Sequence, residues 1–299
     1  MKQNIPVPVF FAIENDPNLK AKFPQQAGQE IGRIEGGLRS KGIFKRSMEK
    51  KPLITVITVV FNGAETLRDT IESVIRQSYD SIEYIIIDGG SSDSTVDILK
   101  QYDHAIDYWL SEKDSGIYDA MNKGISLSSG EYVGLLNSDD MFSEDNVLQS
   151  IADRFCQEQV DAVFSCLNIV DKNDLKKVLR KYRVSKFSRT MLRIGVMPAH
   201  PTFYCKKSCY EKAGFYKTDY KIAADFEMLV RLFIKQKLSW SFIDKVTVNM
   251  RSGGLSNSGI MARVKLNLEI IRACKENDFY TNMLFILLKL PIRLVEMIR

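Results

Sequence analysis

The chain predicts an α/β fold, a mostly parallel sheet with helices on both faces. Three observations carry this. Runs of β-branched and apolar residues of strand length recur at 53–60, 82–87, 106–110 and 132–136. Segments of helical period stand between them, as crossovers between parallel strands require. The strand runs end in polar loop residues, and open α/β sheets bind ligands beyond the carboxyl ends of their strands.

Residues 1–50 show no clear periodicity, and Gly36-Gly37-Leu38-Arg39-Ser40-Lys41-Gly42 is loop chemistry, so an N-terminal arm lying over the core is expected. Leu53-Ile54-Thr55-Val56-Ile57-Thr58-Val59-Val60 is continuous and β-branched, as a strand covered on both faces requires. Asn62-Gly63 turns the chain. Leu67, Ile71, Val74 and Ile75 then recur at helical spacing and predict an amphipathic helix over 64–77. The strand 82–87 ends at Asp88. In the loop Gly89-Gly90-Ser91-Ser92-Asp93-Ser94, Ser92 or Asp93 caps a helix running to about residue 102. A strand at 106–110, a helix at 118–127 and a strand at 132–136 complete a series of right-handed crossovers.

Beyond Asp140 the pattern loosens. A helix is expected over 145–155 and a strand over 162–166. Residues 172–193 carry nine Lys or Arg against one Asp. Strand 202–205, helix 206–213, a strong helix at 224–233, and strands 240–243 and 246–250 follow. Residues 260–275 are helical, and 282–299 form a basic amphipathic helix broken by Pro291.

Composition narrows the class. The 299 residues, 45% hydrophobic and 26% charged, are those of a soluble globular protein. A net charge of +5 argues against dedicated nucleic-acid binding but suits an anionic substrate or membrane surface. Five scattered cysteines without a CxxC pair make a zinc site improbable and indicate reduced thiols. No signal peptide and no run long enough to span a membrane is visible.

Polar residues at the ends of elements carry the chemistry. Asp88 either accepts a hydrogen bond from the imide of a nucleotide base or satisfies its own turn. Gly130-Glu131-Tyr132-Val133-Gly134-Leu135-Leu136-Asn137-Ser138-Asp139-Asp140 is a Gly turn, a buried strand and an abrupt acidic end. Adjacent carboxylates repel and lose solvation, which a cation would relieve; otherwise one of them caps the next helix. Mg2+ or Mn2+ takes one or two protein carboxylates and completes its shell with water and phosphate oxygens. Asp225 stands at or near a helix start, as a cap or as a base. Backbone N–H groups and the helix dipole would stabilise its ionised form and weaken it as a base. Glu227, two residues on, points elsewhere. Met250-Arg251-Ser252-Gly253-Gly254-Leu255-Ser256 offers N–H groups and a guanidinium to a phosphate, or is a surface loop. His200 is structural, or it binds acceptor or metal.

In this order the signals resemble bacterial glycosyltransferase family 2, inverting enzymes with a GT-A fold (a Rossmann-like nucleotide-binding sheet). The matching stretches are Ile57-Thr58-Val59-Val60-Phe61-Asn62, Ile86-Ile87-Asp88-Gly89-Gly90-Ser91-Ser92-Asp93, Asp114-Ser115-Gly116-Ile117-Tyr118-Asp119-Ala120-Met121-Asn122-Lys123-Gly124, Gly130 to Asp140, and Ala224-Asp225-Phe226-Glu227. The resemblance implies an N-terminal arm (1–50), a GT-A domain (51–258) with a donor half at 51–140 and an acceptor half at 141–258, and a C-terminal helical extension (259–299). It implies that Val59, Phe61 and Asn62 line the nucleotide base, that Asp88 binds it, and that Asp139 holds Mn2+ or Mg2+. Asn137 stands where the family often has the first Asp of its DxD motif, and would bond ribose or phosphate. Gly89 replaces a frequent second Asp, leaving base recognition to Asp88 alone. Arg251 would join the donor site, and His200 and Glu227 the acceptor site. Asp225 matches the catalytic base. Asp140 either supports Asp139 or caps the following segment.

The Asp114–Gly124 stretch is common in the branch that builds cell-surface polysaccharides such as O-antigens and capsules. There the donor is a nucleotide-sugar, here expected to be UDP-linked, and the acceptor a saccharide on polyprenyl diphosphate. The basic segment 172–193, otherwise a solvated basic face, and the C-terminal helix, otherwise packed on the domain or on a second copy, would hold a cytoplasmic enzyme at the inner face of an anionic membrane. A non-catalytic carbohydrate- or nucleotide-binding protein is the main alternative, and a sugar-nucleotide pyrophosphorylase a lesser one.

Overall fold

The computed structural model describes residues 32–253 and 260–288. The strands are β1 (Ile34–Gly36), β2 (Ile54–Val60), β3 (Ile82–Asp88), β4 (Tyr108–Ser111), β5 (Tyr132–Leu135), β6 (Met141–Phe142), β7 (Ala162–Val170), β8 (Val178–Tyr182), β9 (Tyr204–Lys206) and β10 (Trp240–Arg251). They form one sheet in the order β1-β4-β3-β2-β5-β9-β7-β10-β6, with β8 paired to β7. Its centre, β4-β3-β2-β5, is parallel throughout. On one flank β1 runs antiparallel to β4; on the other, β9 is antiparallel to both β5 and β7.

Side chains on a strand alternate between faces, and that alternation divides the core in two. Ile57, Val59, Ile85 and Ile87 pack on one face, beneath helices α3 (Ile117–Leu127), α6 (Ala224–Val230), α7 (Ile260–Glu276) and α8 (Met283–Leu287). Ile54, Val56, Ile82, Tyr84 and Ile86 pack on the other, beneath α1 (Leu67–Ile75), α2 (Thr95–Gln101) and α4 (Val147–Glu158). A further short helix, α5 (Lys207–Ala213), follows β9.

Four expectations change. The described part of the arm does not merely lie over the core: Ile34–Gly36 adds an edge strand, and Arg39 reaches inside. Its guanidinium pairs with Glu83 on β3, with both side chains almost wholly buried, and donates to the Leu127 carbonyl (2.7 Å). Three-residue strands and buried arginines leave little trace in periodicity. The strands expected at 240–243 and 246–250 are one strand, β10, with register shifts between Ile243 and Val246 and between Val246 and Val248. The helix expected over 224–233 is α-helical to Val230 and continues as a π-turn, Arg231–Lys235. The basic segment is not simply a solvated face. Residues 178–182 hairpin back onto β7, Arg183 pairs with Asp244 (2.6 Å), and Arg189 donates to the Phe233, Lys237 and Leu238 carbonyls. The break at Pro291 and the arm before residue 32 lie outside the described residues.

Removing one partner of a buried ion pair strands the other charge. Arg39→Ala is therefore expected to lower stability by about 3–5 kcal/mol, read as a lower midpoint in urea unfolding; a change within experimental error would show that the arm is dispensable.

Candidate active site

The loops at the carboxyl edge of β2, β3 and β5 are tied to one another. Asn62 adopts a left-handed conformation (φ 50°), which Asn tolerates better than most residues. Its N–H donates to Ser91 Oγ (2.7 Å), and its Oδ1 accepts the Ser92 N–H (2.9 Å), joining the loops after β2 and β3. The next residue, Gly63, lies against Ser138 of the acidic loop. Phe61 projects from this junction with 66% of its surface exposed, an aromatic face open for stacking. Val59, two residues earlier on β2, is buried.

Asp88 is fully buried at the end of β3. Its Oδ2 accepts from Ser111 Oγ (2.6 Å) and the Ser91 N–H (3.0 Å), and its Oδ1 accepts from Ser91 Oγ. Three of a carboxylate's roughly four acceptor directions are thus taken inside the protein. At Gly89 an added Cβ would stand 2.5 Å from Asp114 Oδ2, so a side chain there would displace that carboxylate. A carboxylate from the loop before α3 therefore lies against that position. The sequence contained Asp114 within a motif but offered nothing to pair it with Gly89, because a whole crossover, α2 and β4, separates them in the chain.

In the acidic loop the two aspartates differ. Asp139 is only partly buried, and Arg251 Nε donates to its backbone carbonyl (3.0 Å). Burial raises the pKa of its carboxyl group, with the nearby Arg251 charge opposing. Asp140 is wholly buried, and burial together with the Asp139 charge holds its pKa well above the usual carboxylate range. Asn137 Nδ2 donates to Asp140 Oδ2 (3.1 Å), while Asp140 Oδ1 has no hydrogen-bond partner among the described residues. An orphaned carboxylate oxygen beside a partly exposed carboxylate is a donor set that suits a divalent cation sharing its shell with phosphate oxygens. Among the described residues no group of three or more His, Cys, Asp or Glu side chains could hold a metal by itself.

Arg251 is held differently from the free phosphate clamp expected of it. Besides the Asp139 carbonyl it pairs with Asp69 on α1, so it fastens the acidic loop to the helix beneath. Gly254, Leu255 and Ser256 of that stretch lie outside the described residues.

Asp225 is the second residue of α6 and not its cap; Ala223 occupies the cap position and supplies no side-chain bond. Tyr118, at the start of α3, accepts the Ala224 N–H (3.3 Å), bringing α6 to the edge where the parallel strands end. Asn122, one turn along α3, bonds the Tyr216 backbone at both N–H (2.8 Å) and carbonyl (2.9 Å). The Tyr216 hydroxyl lies 3.1 Å from His200 Nε2. The Asp114–Gly124 stretch therefore builds one wall around Asp225. Burial raises the Asp225 pKa, with nearby His200 opposing. That reverses the expectation of a carboxylate weakened by its helix, because loss of water outweighs the few backbone bonds available. Burial lowers the His200 pKa, with Asp225 opposing.

Glu227 is not available to an acceptor. It is 0% exposed, accepts twice from Arg231 Nε (3.0 and 2.9 Å), and pairs with Lys217 (3.1 Å). Its sequence neighbourhood suggested a site residue, but two positions past Asp225 the helix turns it inward.

The model of the family described as Glycosyl transferase family 2 matches residues 55–218, more than half of the chain. The chain belongs to Glycosyl transferase family 2. It is 35% identical over 192 residues to an uncharacterized glycosyltransferase of Mycobacterium tuberculosis, covering 62% of this chain and 70% of that protein. It is 39% identical over 112 residues to the putative teichuronic acid biosynthesis glycosyltransferase TuaG of Bacillus subtilis, covering 36% and 44%. Among solved structures it resembles S. aureus TarS 1–349 in complex with UDP-GlcNAc (TM-score 0.61, 17% identity, 77% of this chain and 67% of that one). It also resembles the mannosyltransferase PcManGT of Pyrobaculum calidifontis in complex with GDP-Man and Mn2+ (TM-score 0.56, 17% identity, 83% and 69%). At that identity the likeness shows a shared fold. As a family 2 member this chain is a glycosyltransferase, which sets aside the non-catalytic and pyrophosphorylase alternatives.

Proposed function

We propose that this glycosyltransferase moves one sugar from a UDP-sugar to a saccharide acceptor carried on a lipid-linked intermediate of O-antigen, capsule or exopolysaccharide, inverting the anomeric carbon with the help of Mn2+ or Mg2+. One observation carries the reading. The Tyr118–Ala224 hydrogen bond brings Asp225 to the edge of the sheet that also carries the acidic loop of Asp139 and Asp140. The neighbour bound to UDP-GlcNAc supports the donor class, the one bound to GDP-Man and Mn2+ supports the cation, and the name of TuaG supports the cell-wall context.

Phe61 stacks on the base, and the Asp88 carboxylate, buried and bonded to Ser91 and Ser111, holds in place the loop beside it instead of reaching the base itself. Asn137 and Asp139 face the diphosphate, and Asp139 with water and phosphate oxygens would hold the cation. When bound, the cation neutralises charge on the departing diphosphate. Asp225 takes the proton of the acceptor hydroxyl as that oxygen bonds to the anomeric carbon and the bond to the diphosphate oxygen breaks on the opposite face. His200, fixed by Tyr216, lines the acceptor side. Exposed Val178 and Leu179 beside Lys176, Lys177 and Lys181, together with exposed Leu284, Leu287 and Leu288 on the C-terminal extension, support a peripheral contact with an anionic membrane. Among the described residues no helix is long and apolar enough to cross one.

The decisive experiment is a nucleotide-sugar screen with Mn2+ and a polyprenyl-diphosphate saccharide, read by mass spectrometry. One donor should be consumed, giving a product of inverted anomeric configuration. A retained configuration would overturn the mechanism, and no transfer from any nucleotide-sugar would overturn the substrate assignment. The Asp225 pKa is raised and the reaction needs its ionised form. Activity should therefore fall as pH drops through that raised value, above the range where an ordinary aspartate titrates. An acid limb at or below the ordinary range would show that another group titrates.

A further inference from the structure

Helix α7 lies beyond the stretch that matches the family, and it is built into the acceptor half. Ile270, Ala273 and Cys274 are buried against the core. Glu269, beside them, is also buried, and its carboxylate accepts three successive backbone N–H groups: Lys221 (3.0 Å), Ile222 (2.9 Å) and Ala223 (2.9 Å). These are the residues that lead into α6, and Asp225 follows two positions after the last of them. The opening N–H groups of a helix need an acceptor, usually a side chain at its own cap. Here Tyr118 accepts the Ala224 N–H and Asp225 Oδ1 the Phe226 N–H, while Glu269 holds the three N–H groups just before the first turn and so fixes how the chain enters it. The same helix holds α6 further along: Asn277, just past its end, donates to Glu227 Oε1 (3.1 Å), and Glu276 pairs with Lys217 (2.8 Å), which itself pairs with Glu227.

We infer that Glu269 is a positioning residue that locks the entry to α6 and aims Asp225 at the acceptor hydroxyl. The C-terminal helix is thereby part of the catalytic apparatus. The inference rests on the reading of Asp225 as base. The titratable groups around that carboxylate are His200, Glu269, Tyr118 and Tyr216, each from a different segment. The Glu269 charge acts with burial to raise the Asp225 pKa, and His200 opposes. Removing the charge while keeping the shape should therefore make Asp225 more acidic and leave it less well aimed.

The test compares full-length Glu269→Gln with Asp225→Asn. Glu269→Gln should keep its affinity for UDP with Mn2+ within about twofold, while kcat falls on the order of 100-fold, as for a misaligned reacting group. The acid limb of its pH profile should move to lower pH. An unchanged kcat and an unmoved limb overturn the inference, as does a loss of nucleotide affinity parallel to the loss of kcat, which marks a general scaffold residue. Retained activity in Asp225→Asn shows instead that the base reading has failed, and the inference falls with it. Hydrogen exchange on the wild-type protein needs no folded variant: the 221–223 amides should be among the slowest of the loop before α6, and rapid exchange there overturns the lock.

Discussion

Asp225→Asn is expected to lower the transfer rate by about 10²–10⁴-fold, the range that a positioned general base contributes. The carboxamide fills the same space but cannot take a proton from the acceptor hydroxyl at neutral pH. Nucleotide affinity should stay near the wild-type value, since Asp225 stands on α6 while Phe61, Asp88, Asn137 and Asp139 stand on the loops of the donor half. Titration with UDP and Mn2+, alongside a product assay, separates the two effects. Nearly full transfer would move the base elsewhere. Of the two other candidates, Glu227 is excluded by its burial and its pairing with Arg231 and Lys217, which leaves His200.

The second large effect concerns the acidic loop. Asp139→Ala should weaken metal-dependent donor binding by on the order of tenfold or more, because altering even the outer partners of a metal ligand costs that much. The remaining binding should lose its dependence on Mn2+. Asp140 offers at most its one unpartnered oxygen, the other being held by Asn137, and being wholly buried it does not make up for the loss. An unchanged metal requirement in calorimetry would refute Asp139 as ligand. Arg251, expected at the phosphate, instead enters this prediction indirectly: by holding the Asp139 carbonyl and Asp69 it keeps the loop in one conformation.

Between residues 53 and 140 the fold was legible in advance, because each strand and helix there is specified by its own residues. The run at Ile54–Val60 is buried at every position, as an unbroken β-branched segment in a covered parallel sheet should be. The spacing of Leu67, Ile71 and Val74 placed α1 on its buried face. The strand-end carboxylates were visible for the same local reason, since an abrupt change from apolar to acidic marks the edge of such a sheet. The acceptor half was harder. Its β9 is three residues long, its β10 is bulged, and its helix α6 passes into a π-turn, so periodicity carries less information there.

What the sequence determined by itself was the order of elements between residues 53 and 136, the family, and the identity of the carboxylates at the acidic loop and at the start of α6. The tertiary structure alone decided which of them stand open and which are spent. It buried Asp140 beside a partly buried Asp139, turned Glu227 inward, tied Arg251 to Asp69, and set Asp114 against Gly89. It also brought Glu269 to the entry of α6, 46 residues along the chain from Ala223. The physical reason is that a carboxylate's chemistry depends on its solvation and its partners, and here those are supplied by segments far apart in sequence, where no local pattern records them.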